Sequence, residues 1–285
     1  MQIQWFPGHM AKTRRLITES LKLVDVVIEL LDARLPLSSQ NPEIDKIVGK
    51  KPRIVVLNKS DIADPMANEK WLKFFESKGV CCILADSLSG KGLKSLDAAI
   101  EKVLEEKFAK EKEKGMMRRA VKMLVVGIPN VGKSSFINRL SGRAAAKTGD
   151  RPGVTTAKQW IRVMGKYELL DTPGILWPKF DDIEVGRRIA FTGGIKDEIM
   201  DIEELAFLLI GFLRKNYPEM LVSRFKLENE DVEAYDDFEL MELIGKKRGC
   251  IVSGGNIDTL RTANLILDDF RAAKIGRITL ELPNI

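Results

Sequence analysis

The stretch Gly127-Ile128-Pro129-Asn130-Val131-Gly132-Lys133-Ser134 has the spacing G-x-x-x-x-G-K-S. The apolar run Val121–Val126 before it reads as a buried strand, and Ser135-Phe136-Ile137-Asn138-Arg139-Leu140 after it opens a helix. Strand, glycine loop and helix in that order make a phosphate cradle. The glycines let the backbone wrap the anion, and the amides of Asn130, Val131, Gly132, Lys133 and Ser134 point inward at a helix N-terminus, with Ser135 next in the nucleotide-binding set. Lys133 would reach the β- and γ-phosphates and take the catalytic role of neutralising them, and the Ser134 hydroxyl would ligate Mg²⁺.

A second constellation is Asn58-Lys59-Ser60-Asp61, at the carboxyl end of the apolar run Arg53–Leu57. N-K-x-D there is a base-reading device. The Asp61 carboxylate would accept hydrogen bonds from the ring N–H and exocyclic amine of guanine; adenine offers neither, and the carboxylate left unpaired penalises it. Asn58 would bond the other edge and the Lys59 stem would cover the base. After a further strand, Val80–Leu84, comes Asp86-Ser87-Leu88-Ser89-Gly90. A backbone amide in that segment is placed to meet the guanine carbonyl, so Asp86 and Ser87 join the set. Two motifs complete the site. Pro152-Gly153-Val154-Thr155 offers the Thr155 hydroxyl to Mg²⁺ when a γ-phosphate is present. Asp171-Thr172-Pro173-Gly174 offers Asp171 to Mg²⁺, through water, and the Gly174 amide to the γ-phosphate, whose loss it would sense.

The order of these motifs is itself informative. N-K-x-D ordinarily follows D-x-x-G in a GTPase; here it precedes the phosphate loop, and none occurs after Gly174. Val24–Leu31, Arg53–Leu57, Val80–Leu84, Val121–Val126, Gln159–Met164 and Lys166–Leu170 read as six strands, enough for one nucleotide-binding sheet. A single circularly permuted domain is therefore expected rather than two incomplete ones. Helices are expected around Glu43–Val48, Glu69–Ser77 and Leu93–Phe108. Permutation should bring the N-terminal arm, Trp5-Phe6-Pro7-Gly8-His9-Met10 with Lys12, Arg14 and Arg15, to the γ-phosphate end. Ile175 follows D-T-P-G where many GTPases have a water-orienting Gln. His9, the only histidine in the chain, thus has two open roles: positioning water catalytically, or lying in an arm that only binds RNA.

The combination W-F-P-G-H-M at Trp5–Met10, D-A-R at Asp32–Arg34, N-K-S-D, G-I-P-N-V-G-K-S-S and D-T-P-G-I-L-W-P resembles the circularly permuted ribosome biogenesis GTPase A family (YlqF/RbgA) over essentially the whole chain. The resemblance implies an α/β, circularly permuted P-loop GTPase domain with a six-stranded sheet, followed by a small all-helical C-terminal domain that contacts ribosomal RNA. It implies GTP hydrolysis coupled to late assembly of the large (50S) ribosomal subunit. It also makes Asn130 a candidate K⁺ ligand beside the phosphates.

Residues 1–178 are assigned to the arm and GTPase domain, and 179–285 to the helical domain. In the latter, Ile183–Phe191, Ile202–Lys215, Pro218–Phe225, Asp236–Lys246 and Ile257–Ala273 have helical periodicity. Lys246, Lys247, Arg248, Arg261, Arg271, Lys274 and Arg277 form a basic set suited to RNA, within a chain of net charge +5. The N-terminus has no apolar signal core, and Leu205–Leu213 is too short to span a bilayer. Cys81, Cys82 and Cys250 lack metal spacing, and Cys81 and Cys82 read as buried thiols. A cytoplasmic monomer with no DNA and no membrane partner is expected. The competing function is an RNA-binding scaffold that uses GTP for order, with negligible hydrolysis.

Overall fold

The structure is a computed structural model that describes residues 18–42, 44–117, 119–142, 159–171 and 182–283, without the side chains of Gln159 and Asp171. It divides into two compact units: Met1–Asp181 with Thr279–Ile285, and Asp182–Ile278.

The first unit is built on six strands: β1 (Val26–Asp32), β2 (Arg53–Asn58), β3 (Cys81–Leu84), β4 (Val121–Val126), β5 (Gln159–Val163) and β6 (Tyr167–Asp171). Their order across the sheet is β3-β2-β1-β4-β6-β5. All neighbours are parallel except the β5–β6 hairpin. Strand β1 reads VVIELLD and is buried at every position, as expected where helices cover both faces of a parallel sheet. On one face Val27, Leu124, Val126 and Leu170 pack with Leu21, Val24, Ile44 and Val48; Leu31, Val55 and Leu57 pack with Trp71 and Phe75. The helices are α1 (Ile44–Val48), α2 (Pro65–Ser77), α3 (Ser95–Val103), α4 (Glu105–Glu113) and α5 (Lys133–Ser141). Strands β1 and β4 lie side by side at the centre, so the sheet reverses its winding there. Their carboxyl ends, together with those of β2 and β3, form the edge where such sheets take ligands.

Three local features depart from the sequence expectations. Helix α2 begins at Pro65 rather than Glu69, because the Asp64 carboxylate caps the amides of Met66 and Ala67 and proline occupies the first turn. The expected helix Leu93–Phe108 is two helices broken at Leu104, which is buried. Cys81 and Cys82 lie on the edge strand and are only half-buried, as free thiols; Cys250 is buried.

The second unit contains α6 (Ile183–Phe191), α7 (Ile202–Asn216), α8 (Pro218–Phe225), α9 (Asn229–Ala234), α10 (Asp237–Lys247) and α11 (Thr259–Arg271). Helix α7 buries Leu205, Ala206, Leu209, Ile210 and Leu213 along one stripe, with helices α10 and α11 packed against it. Among the described residues, no helix is long and apolar enough to cross a membrane.

The expected boundary of 179–285 for the helical domain differs from this division at its end. Thr279, Leu280 and Glu281 leave the helices and join the first unit, where Leu280 N–H donates to the Arg34 carbonyl at 2.6 Å. Thr279 and Leu280 are buried there.

Candidate nucleotide site

The phosphate loop joins β4 to α5. Its backbone needs both glycines. Gly127 lies so close to β1 that a Cβ would sit 2.5 Å from the Leu30 carbonyl oxygen. Gly132 caps α5 at φ +93°, where a Cβ would sit 2.5 Å from Asn58 Nδ2. Asn130, exposed, also adopts positive φ (61°), a conformation Asn tolerates better than most side chains. Lys133, Ser134 and Ser135 form the first turn of α5, where backbone amides and helix dipole favour an anion. Lys133 Nζ donates to the Gly127 carbonyl at 2.7 Å and the Ile128 carbonyl at 2.6 Å. Burial of this ammonium lowers its pKa from 10.5 to about 7.

The N-K-S-D motif lies beside this loop. Asn58 ends β2 and is buried. Its Nδ2 donates to the Val131 carbonyl at 2.7 Å, and its Oδ1 accepts from the Ser87 amide at 3.0 Å and the Ser87 hydroxyl at 2.6 Å. One carboxamide thus joins three segments that are remote in sequence: the N-K-S-D motif, the Asp86–Ser87 loop and the phosphate loop. Lys59 follows in the left-handed region (φ 60°), its Nζ 3.1 Å from Asp32 Oδ2. Asp61 is exposed. The Asp86 carboxylate accepts from the Leu88 and Ser89 amides at 2.8 and 3.2 Å, folding its own loop. Burial would raise its pKa, but those hydrogen bonds and the Arg139 charge lower it. Arg139 also donates to the Ser89 carbonyl, tying α5 to the base-side loop.

Asp171 terminates β6 next to β4, one residue beyond the Leu124–Leu170 pair. The Ser134 hydroxyl in the first turn of α5 is the kind of hard oxygen donor that Mg²⁺ prefers, so this end of the loop fits that ion. His9, Thr155 and Gly174 lie outside the described residues.

Sequence spacing alone did not bring out two buried carboxyl groups on β1, of which Asp32 contacts Lys59 of the N-K-S-D motif. The Asp32 carboxylate is buried and receives Arg34 Nε at 3.0 Å and Nη2 at 2.8 Å. Burial would raise its pKa, but the charges of Arg34 and Lys59 outweigh that and hold it well below the usual carboxylate range. Glu29, on the same strand, is also buried, and there burial prevails. Its carboxyl is pushed up to about 7 despite the charge of Arg53 and a hydrogen bond from Gln40.

A six-stranded sheet with a G-x-x-x-x-G-K-S loop, an N-K-x-D motif bonded to that loop, and the motifs in rotated order define a circularly permuted P-loop GTPase. A family model described as "50S ribosome-binding GTPase" matches residues 122–243. The chain is 54% identical over 283 residues to ribosome biogenesis GTPase A of Bacillus cereus, covering 99% of this chain and 95% of that protein. It is 51% identical over 285 residues to ribosome biogenesis GTPase A of Priestia megaterium, covering 100% and 98%. Among solved structures it is similar to GNP-bound YlqF from T. maritima, with a TM-score of 0.66 and 27% identity, covering 96% of this chain and 99% of that one. The chain belongs to the ribosome biogenesis GTPase A family, and it is a GTPase.

Proposed function

We propose that this GTPase serves assembly of the large ribosomal subunit, with GTP or GDP setting how tightly it holds the maturing particle. The observation that carries the reading is the three-way junction at Asn58, which couples base recognition to the phosphate loop. Membership of a ribosome biogenesis family, and the particle named in the matching family model, support the choice of partner. Asp61 reads guanine, Lys59 covers it, and the Asp86–Ser87 loop meets its carbonyl. Val131, Gly132, Lys133, Ser134 and Ser135 hold the phosphates, and Ser134, Thr155 and Asp171 hold Mg²⁺. Asn130 is the K⁺ ligand candidate, its exposed carboxamide lying at the tip of the phosphate loop. Gly174 senses the γ-phosphate, and His9 positions water, filling the role left by Ile175.

The helical unit supplies the RNA contacts, through fewer basic residues than the sequence offers. Arg271 binds Asp197 with both terminal nitrogens (2.7 and 2.8 Å) and donates to the carbonyls of Ala190 and Phe191. That makes it a brace rather than an RNA contact. Arg224 donates to the buried Asp269 at 2.9 Å, and Lys274 lies 3.5 Å from the same carboxylate. Lys246, Lys247 and Arg261 are exposed and are the phosphate contacts we assign.

Sedimentation of the full chain with purified large-subunit particles tests this. Binding should be tighter with a non-hydrolysable GTP analogue than with GDP by about 1–3 kcal/mol, the usual coupling range. Equal binding in both states, or no binding in either, would remove the proposal. Particle-dependent hydrolysis measured alongside separates a switch from a scaffold that merely holds GTP.

A further inference from the structure

The segment that carries Lys59 and Asp61 has no regular structure of its own. It leaves β2 at Asn58, enters the left-handed region at Lys59 and reaches the cap of α2 at Asp64. Such a backbone persists only when its surroundings over-determine it. Two sets of contacts do so here.

The first centres on Asp32. The β1–β2 register pairs Asp32 with Asn58, and Ala33 N–H donates to the Asn58 carbonyl at 2.8 Å. The buried Asp32 carboxylate receives Lys59 Nζ and the Arg34 guanidinium, while its own amide donates to Ser39 Oγ at 3.0 Å. The second set comes from the chain's last described residues. Leu280 N–H is bonded to the Arg34 carbonyl. The Glu281 carboxylate accepts from both the amide and the hydroxyl of Ser38. On the other side, the Asp64 amide donates to Thr279 Oγ1 at 3.0 Å, and Trp71 Nε1 donates to the Glu281 carbonyl at 3.1 Å. The tail therefore grips the Arg34–Ser38 turn with one edge and the start of α2 with the other. Residues 59–63 lie between the two gripped points.

We propose that Asp32 and Glu281 are positioning residues of the guanine-reading loop: Asp32 fixes Lys59, and the Glu281 carboxylate locks the Arg34–Ser38 turn, so that the same tail, through Thr279, can hold the start of α2 that follows Asp61. This rests on the reading of Asp61 given above. A tail that follows the helical unit in sequence thereby becomes part of the base site. Loosening it should degrade recognition of the base and leave the phosphate half alone.

Calorimetric titration of the full-length chain with GDP and with inosine diphosphate tests this, since inosine lacks the exocyclic amine. The GDP-to-IDP affinity ratio reports one of the two bonds to Asp61. Asp32→Asn and Glu281→Ala should each shrink that ratio by about three- to tenfold, the worth of one misplaced hydrogen bond. Glu281→Gln retains an acceptor for the Ser38 amide and should recover most of it. A variant that is merely less stable lowers Tm without moving the ratio. Should Asp32→Asn fail to fold, Glu281→Ala decides alone, because it strands no buried charge. Asp61→Asn is the control. If it leaves the ratio unchanged, the base-reading assignment itself fails. If it collapses the ratio while folded Glu281→Ala preserves it, the positioning role is overturned and the base reader stands.

Discussion

Replacing Asn58 by Ala would cut the junction on which the nucleotide site depends. The side chain is 1% exposed and makes three hydrogen bonds, to the Val131 carbonyl and to the amide and hydroxyl of Ser87. Truncation leaves a carbonyl and an amide buried without those partners, at roughly 1–3 kcal/mol each. The Ser87 hydroxyl can rotate to another acceptor and is left out of the sum. Water entering from the adjacent loop recovers part of the loss, so about 3 kcal/mol is expected. Set against a total stability of roughly 5–15 kcal/mol, that is a large fraction. For a unit of this size it lowers Tm by about 6–12 °C. GDP affinity should fall by at least about tenfold, because the phosphate loop and the base-reading loop lose their shared anchor. Scanning calorimetry and GDP titration measure both quantities. A cycle with Ser87→Ala should show coupling of about 1 kcal/mol through the 2.6 Å bond. A folded Asn58→Ala protein with Tm within about 2 °C of the parent, or with unchanged GDP affinity, would refute the claim that this carboxamide integrates the site.

Four further outcomes follow from the charged groups. Glu29 binds its proton more tightly folded (pKa about 7) than unfolded (near 4.5), so stability contributed by the protonated form is lost as pH rises through about 7. Glu29→Gln should flatten that dependence and raise stability at pH 8 by up to roughly 3 kcal/mol, measured by urea unfolding across pH 5–8. Lys133 is half-deprotonated near pH 7, and a bound polyphosphate restores its charge. Nucleotide binding at pH 8 should therefore take up close to one proton, visible as a dependence of titration enthalpy on buffer ionisation heat, and affinity should weaken as pH rises from 7 to 9. Arg271→Ala should lower the calorimetric Tm of the helical unit, since it leaves Asp197 and two carbonyls without their partner, and leave the salt dependence of particle binding unchanged. Lys246→Gln should do the reverse, reducing that salt slope by roughly one log unit.

What the sequence disclosed depended on how local each signal was. Strands β1 to β6 were legible to within two residues, because buried parallel strands carry apolar runs such as Met123–Val126. The start of α2 was also written in the sequence, as Asp64 before Pro65, a capping carboxylate followed by a first-turn proline. The break at Leu104 was not legible: Leu is a good helix former, and tertiary packing decided against one continuous helix. Asn130, Gly132, Lys133 and Asn58 were found by motif. Their mutual bonds were not, because a motif gives residue types at a spacing and says nothing of which segment answers them across the sheet. Arg271 illustrates the same limit from the other side: a basic residue held by a carboxylate and two carbonyls of its own unit reads in sequence like one facing solvent.

The strand order explains how rotated motifs still make one site. Strands β1 and β4 are adjacent and parallel, so N-K-S-D at the end of β2 and the phosphate loop at the end of β4 arrive at the same sheet edge whichever is made first. Rotation alters what the chain does next. After Asp171, at the end of β6, no later strand follows among the described residues, and the sequence runs into the helical unit that begins at Asp182. That unit ends at Ile278, where the chain returns to bond Arg34 and Ser38. Its ninety-odd residues thus depart beside the D-T-P-G motif and come back beside the loop that carries N-K-S-D. A covalent tie at one end alone could report only on that end. Under the function proposed above, ties at both would let the unit respond to how firmly the whole nucleotide is gripped. It follows that weakening Glu281 should reduce the difference in particle binding between GTP and GDP states even though Glu281 is remote in sequence from both motifs. Sedimentation of Glu281→Ala with large-subunit particles at saturating nucleotide measures this. An undiminished difference would mean that the D-T-P-G end carries the signal by itself.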